Sequence, residues 1–284
     1  MGLPMALQLV RAGYRVVGMD SDSNAVTTFY DSASALSVPS ATDDHLGLFD
    51  VVITMLPTSA VVRTVLLDAG PPLLSRIRSG GLVIDMSSSA ASETIDLGRE
   101  LAKHDIALVD APVSGGTAAA AQGTLAIMIG ARDDASFKRA QPLLAALGNR
   151  LLRAGPIGAG HAAKAINNAV AATVISATSE GLVLAEKCGI ERSDMLEIIN
   201  ASTGQSLCSK ALFPSQIMSG KFAQGFAIEL MAKDVGLAAR LVEESGSVAP
   251  MLELAAAQWA QAAKAKPGAD FTEMQLFVEE RASE

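Results

Sequence analysis

The 284-residue sequence predicts an α/β domain built on a mostly parallel sheet and, after it, an all-α domain reached through one long helix. Three observations carry this. Up to about residue 154, short β-branched or aliphatic runs alternate with helical stretches, the pattern of βα units. After Gly160 the strand-like runs stop. Residues 161–187 then form one Ala-rich helical pattern without proline, about 40 Å long at 1.5 Å per residue.

In chain order, a helix is predicted over 3–12, closed by Gly13, and a strand over Arg15–Asp20. Helix 23–31, strand Asp50–Leu56, helix 59–68, strand Leu82–Met86 and helix 90–103 follow by the same alternation. Strands Ile106–Asp110 and Leu125–Ile129, helix 133–147 with Gly148 as its stop, and strand Arg150–Arg153 complete the first half. Beyond the long helix, apolar periodicity predicts helices near 191–202, 206–218, 228–246, 249–265 and 271–280, with Lys264–Asp270 as a loop. The domain boundary is placed between 157 and 158, and a ligand is expected where the strand ends face the helical half.

Composition narrows the function classes. Aromatic residues are only 4%, so the core must be aliphatic. With 22 Lys and Arg against 30 Asp and Glu the net charge is −8, and no basic cluster occurs, which argues against nucleic acid as a partner. Cys188 and Cys208 form no CxxC, and His45, His104 and His161 show no ligand spacing, so no metal is expected. The longest uncharged run, Ala111–Ala131, is broken by Pro112 and four glycines, and the N-terminus lacks a signal-peptide pattern. A cytoplasmic protein without a membrane partner is the expectation.

Several segments have side chains suited to chemistry. Gly2 opens a helix that leads into a strand ending at Asp20, the second half of a dinucleotide fingerprint, although Asp20 alone is more often a plain strand-end carboxylate. Leu56-Pro57-Thr58-Ser59 and Met86-Ser87-Ser88-Ser89 each end a strand and start a helix; taken singly, both read as helix caps rather than ligand contacts. In Val113-Ser114-Gly115-Gly116 the missing side chains let backbone N–H groups approach a small carboxylate, with a flexible loop as the alternative. Lys164 and Asn168 are spaced i, i+4, on one face of the long helix. A lysine near a helix start sits at the positive end of the dipole, a poor structural choice that eases loss of its proton; a solvated surface lysine is the competing reading. Lys233-Asp234 reads as a solvated pair on a helix of the second half.

Taken together, Met1-Gly2-x-Pro4-Met5-Ala6, Met55-Leu-Pro-Thr-Ser59, Asp110-Ala-Pro-Val-Ser-Gly-Gly116, the Gly155 to Asn168 segment and Met231-Ala-Lys-Asp234 resemble, over nearly the whole chain and in the same order, the β-hydroxyacid dehydrogenase family. The resemblance implies a Rossmann-like N-terminal domain binding NAD(P), an all-α C-terminal domain serving substrate and oligomer, and hydride exchange with a small 3-hydroxy acid of the 3-hydroxyisobutyrate type or its semialdehyde. It implies Lys164 as the catalytic acid/base. Asn168, Ser114, Gly115 and Gly116 would hold the substrate carboxylate and its surroundings. Gly2, Asp20, Leu56, Pro57, Ser88 and Lys233 would contact the cofactor. Asp20 at a strand end, with no arginine directly after it, favours NAD over NADP. A homodimer or homotetramer is implied as well.

Two departures accompany the resemblance. Val61 stands where relatives often carry Asn, and the family's first strand with its G-x-G does not precede Gly2. Roughly 10 further residues encoded upstream of Met1, an apolar strand followed by G-x-G, are therefore expected. The alternatives are a tartronate semialdehyde reductase within the family and a non-catalytic truncated dehydrogenase scaffold. An imine reductase is disfavoured by Lys164.

Overall fold

The computed structural model describes residues 1–36, 48–70 and 72–283, so His45 lies outside the described residues. These divide into two compact units, Met1–Lys164 and Ala165–Glu284. The division falls inside one continuous helix, seven residues past the 157/158 boundary read from the sequence.

Unit one holds β1 (Phe49–Thr54), β2 (Ile77–Asp85), β3 (Ala107–Asp110), β4 (Val113–Ser114), β5 (Ala126–Ala131) and β6 (Arg150–Gly155). β1, β2 and β3 are parallel neighbours, and β5 and β6 are parallel to each other. The sheet is mixed, however, because β5 runs antiparallel to both β3 and β4. β3 and β4 are one strand interrupted at Ala111-Pro112, where proline has no N–H to donate, and Met128 N–H donates to the Pro112 carbonyl at 3.0 Å.

Side chains alternate across the pleat. Leu82, Ile84 and Val109 enter a core with Met5, Leu9 and Leu144, from α1 (Gly2–Arg11) and α6 (Asp134–Leu147). Val83 and Leu108 face the other way, against Val62 of α3 (Ser59–Arg63) and Leu97 and Leu101 of α4 (Ala91–Ala102). A sheet covered on both faces explains why its strands read as continuous apolar runs. Full burial of each such side chain contributes about 1.5–3 kcal/mol.

The predicted strand Arg15–Asp20 is not a strand. After α1 and the turn at Gly13 the chain runs irregularly to α2 (Ser23–Ser34). An extended segment becomes a strand only by pairing, and the sheet's described ladders do not include it. Helix 59–68 is α3 continued by a π-helical turn, Thr64–Asp68. The sequence reading also passed over α5 (Gly116–Gln122).

Unit two is all-α. α7 (Ala159–Lys187) brings its residues from 165 onward into it, joined by α8 (Arg192–Ala201), a π-helical segment Cys208–Ile217, α9 (Ile228–Ser245), α10 (Pro250–Ala265) and α11 (Met274–Ala282). By length and composition α7 could cross a membrane, with a mean hydropathy of 1.3. Its Ala165, Ala169 and Ala172, at i, i+4 and i+7, instead line the core. Their small size lets Trp259 of α10 lie close, its indole N–H donating to the Ala172 carbonyl (3.2 Å) and Ser176 Oγ (3.1 Å).

Trp259 is fully buried and is the only tryptophan. Trp259→Ala is expected to destabilise the protein by about 3–5 kcal/mol, measured by urea unfolding followed with far-ultraviolet circular dichroism. A loss below about 1 kcal/mol would show that the alanine face of α7 closes the gap without its knob.

Candidate active site

The three parallel strands end in polar residues at one register. Thr54 pairs with Asp85, and Asp85 with Asp110. All three are buried, so each must find partners or pay the desolvation of a polar group.

Asp85 finds them in the two loops that follow β1 and β2. Its Oδ1 accepts from Thr54 Oγ1 (2.9 Å) and Ser87 N–H (3.0 Å), and its Oδ2 accepts from Ser89 Oγ (2.9 Å). Ser87 Oγ in turn accepts from Leu56 N–H (2.9 Å), and Ser59 Oγ from Ala90 N–H (2.8 Å). The Leu-Pro-Thr-Ser and Ser-Ser-Ser loops are thereby laced together, which puts Leu56 and Pro57 beside the loop carrying Ser88. The capping role read for Thr58 also holds, since its hydroxyl accepts from Val61 N–H.

Asp110 finds its partners far along the chain. Its Oδ1 accepts from Gly158 N–H (2.8 Å) and its Oδ2 from His161 N–H (2.9 Å). The carboxylate thus satisfies two of the orphan donors at the start of α7 and opposes the positive end of its dipole. This docks the first turn of α7 on the end of β3, with half-buried Lys164 in the sixth position of that helix. Gly160 makes the approach possible. A Cβ there would come within 2.5 Å of the Met128 carbonyl and 2.8 Å of Asp110 Oδ2.

His161 fills the space between the carboxylates. Thr94 Oγ1 donates to the Ala90 carbonyl (2.9 Å) and is hydrogen-bonded to His161 Nδ1, 2.7 Å away. Nε2 is buried without a hydrogen bond, 3.8 Å from Asp85 Oδ2. From the sequence His161 shows no ligand spacing, and no role is read for Asp85, Asp110 or Thr94. The signal was there in the three strands that each end in Thr or Asp.

The remaining residues fall in two sets. Ser114 sits in β4, and Gly115 and Gly116 follow with φ of 130° and 69°, backbone that favours glycine, at the entry of α5. α5 lies against α1, where the Gln8 amide donates to the Ala121 carbonyl. In unit two, Asn168 on α7 and Lys233 on α9 meet through Asp234: Asn168 Nδ2 donates to Asp234 Oδ2 (2.8 Å), and Lys233 Nζ is 3.4 Å from Oδ1. The solvated-pair reading of Lys233-Asp234 fails for Asp234, which is buried. Asp20 is exposed, its Oδ1 accepting from Asp22 N–H.

These residues suit a dinucleotide. α1 begins at Gly2 without a side-chain cap, and the N–H groups of a helix start suit a diphosphate. The laced loops stand at the carboxyl ends of parallel strands, where such ligands bind. Among the described residues no group of three His, Cys, Asp or Glu side chains converges on a metal site.

Gly160→Ala is expected to push α7 off β3 and destabilise the protein by about 1–3 kcal/mol, read as a lower urea midpoint. An unchanged midpoint would show that the helix slides away freely.

Comparison with known proteins agrees with this geometry. The family model described as the NAD binding domain of 6-phosphogluconate dehydrogenase matches residues 1–155, and that described as NAD-binding of NADP-dependent 3-hydroxyisobutyrate dehydrogenase matches 158–277. The 2-(hydroxymethyl)glutarate dehydrogenase of Eubacterium barkeri is 38% identical over 90% of this chain and 83% of its own. The NAD-dependent L-serine dehydrogenase of Pseudomonas aeruginosa is also 38% identical, over 90% and 86%. Among solved structures, Mycobacterium tuberculosis 3-hydroxyisobutyrate dehydrogenase with L-serine superposes with a TM-score of 0.85 at 33% identity, covering 98% of this chain and 95% of that one. With NAD-binding sequence over both halves and dehydrogenases among its relatives, the chain belongs to the β-hydroxyacid dehydrogenase family.

Proposed function

We propose that this protein is an NAD-dependent dehydrogenase of small 3-hydroxy acids whose hydroxyl is carried on a CH2 group next to the carboxylate-bearing carbon, interconverting them with the semialdehyde. The 2-(hydroxymethyl)glutarate, serine and 3-hydroxyisobutyrate that name the relatives share that hydroxymethyl carboxylate and differ in the third substituent. NAD, when bound, accepts the hydride from the carbinol carbon.

The observation that carries the reading is the seating of α7. Asp110 fixes its first turn, and Lys164 and Asn168 follow one turn apart on one face. In oxidation the neutral amine of Lys164 takes the hydroxyl proton; in reduction its ammonium returns it. Ser114 and the backbone N–H groups of Gly115 and Gly116 receive the substrate carboxylate, and Asn168 holds the substrate beside Lys164. Gly2, Leu56, Pro57, Ser88 and Lys233 contact the cofactor, with Asp20 at its adenosine ribose. Residues 1–157 act as the dinucleotide-binding domain and 158–284 as the substrate and oligomerisation domain. Exposed Ile166, Val170 and Leu184 on α7, with Met251 and Leu254 on α10, support a homodimer or homotetramer. The proposal includes a cytoplasmic location without a membrane or nucleic-acid partner, which the net charge of −8 and the lack of a basic cluster support.

A panel of 3-hydroxyisobutyrate, glycerate, serine and 2-(hydroxymethyl)glutarate, assayed for NADH formation, tests the reading. NADH binding without turnover of any of them would overturn the substrate class, and a folded protein that binds no NADH would favour a non-catalytic scaffold. Lys164→Ala is expected to lower kcat by about 10²–10⁴-fold with NADH affinity little changed; a variant keeping a tenth of the wild-type kcat would remove Lys164 from proton transfer.

Cofactor choice is separately testable. A carboxylate at Asp20 accepts hydrogen bonds from ribose hydroxyls and repels a 2′-phosphate, so kcat/KM is expected to favour NAD over NADP by about tenfold or more. A preference for NADP would take Asp20 out of the cofactor site.

A further inference from the structure

We infer that Asp234 is a positioning residue of the dehydrogenase reaction, acting through the amide of Asn168; this rests on Asn168 holding the substrate, as proposed above. Both side chains are almost wholly buried, at 2% and 8% exposure. Their contact joins α9 to α7 across 66 residues of sequence.

The chemistry of the pair leaves one arrangement. A primary amide has two faces, carbonyl and amino, of nearly the same shape, and only the hydrogen-bond partner decides which way it points. An ionised carboxylate only accepts. A reversed amide would set Asn168 Oδ1 against Asp234 Oδ2, two buried acceptors at 2.8 Å with no proton between them. Asp234 therefore holds Asn168 with Nδ2 toward itself and with Oδ1 and the second N–H in fixed directions.

The other oxygen of the carboxylate has its own neighbour. Oδ1 is buried without a hydrogen bond and lies 3.4 Å from the Lys233 ammonium. One carboxylate thus touches both the lysine assigned to the cofactor and the amide assigned to the substrate. An amide at position 234, which can donate as well as accept, would match either orientation of Asn168, and the group presented to the substrate would no longer be fixed from that side.

Asp234→Asn, nearly isosteric, is the test. KM for the hydroxy acid is expected to rise about tenfold or more, with kcat falling less and NADH affinity within about threefold of the wild type. In an Asn168→Ala background the same change should leave KM where that background puts it, because a positioning residue has nothing left to position. A purely structural role would multiply KM equally in both backgrounds, and that result, or an unchanged KM in Asp234→Asn, would overturn the inference. Wild-type KM in Asn168→Ala would instead sink the substrate assignment of Asn168.

A readout free of turnover stands beside the kinetics. In ¹H–¹⁵N spectra the Asn168 side-chain amide, assigned by its loss in Asn168→Ala, should show exchange-protected signals that lose protection in Asp234→Asn. Equal protection in the two proteins would overturn the positioning role whatever the substrate proves to be.

Discussion

A single buried carboxylate, that of Asp110, organises the α/β half of the molecule. Removing such a charge from water costs several kcal/mol unless hydrogen bonds replace its hydration. Here the replacement comes from backbone donors at the start of α7, where the helix dipole adds up to about 2 kcal/mol in favourable geometry. The interaction works in both directions. The helix end solvates the carboxylate, and the carboxylate fixes where the helix begins, hence where Lys164 falls. Gly160 and His161 follow from the same contact: one leaves room for it, and the other fills the gap toward Asp85.

The same logic recurs at Asp85 and Asp234, each a buried acid whose oxygens are spent on holding other groups still. Asp85 ties two loops by taking their hydroxyl and backbone donors. Asp234 takes one amide and sits against one ammonium. These acids serve as rigid acceptors, and the chemistry is left to the neighbours they orient. Apolar strands and alanine-rich helices supply the burial that makes such hydrogen bonds strong.

Much of this was legible in the amino-acid sequence, and what was not has identifiable causes. Helices with a steady apolar stripe, such as α9 with Ile228, Met231, Val235, Ala238 and Val242, announce themselves by period. β2 and β3 did so as continuous aliphatic runs. Residues 15–20 have the same composition but no ladder, and composition cannot report the absence of a partner. The antiparallel entry of β5 was hidden because pairing direction leaves no mark in a strand of six residues. Motif spacing pointed to Lys164, Asn168 and the Ser-Gly-Gly turn; it was silent on Asp85 and Thr94 and saw in Asp234 a surface pair with Lys233, because their partners Thr54, His161 and Asn168 lie 31, 67 and 66 residues away.

The docking of α7 on β3 also bears on the order in which the chain can fold. Asp110 is made and aligned in the sheet 48 residues before its first donor, Gly158, and 51 before its second. During synthesis from the N-terminus, the six described strands of the sheet are complete by residue 155, yet the central carboxylate then has neither N–H to accept. A nascent sheet at that length must keep its edge open to water at β3 or bear an unsatisfied charge. Closure waits for the first turn of α7, so the α/β half matures only after the chain has already entered the helix that leads out of it.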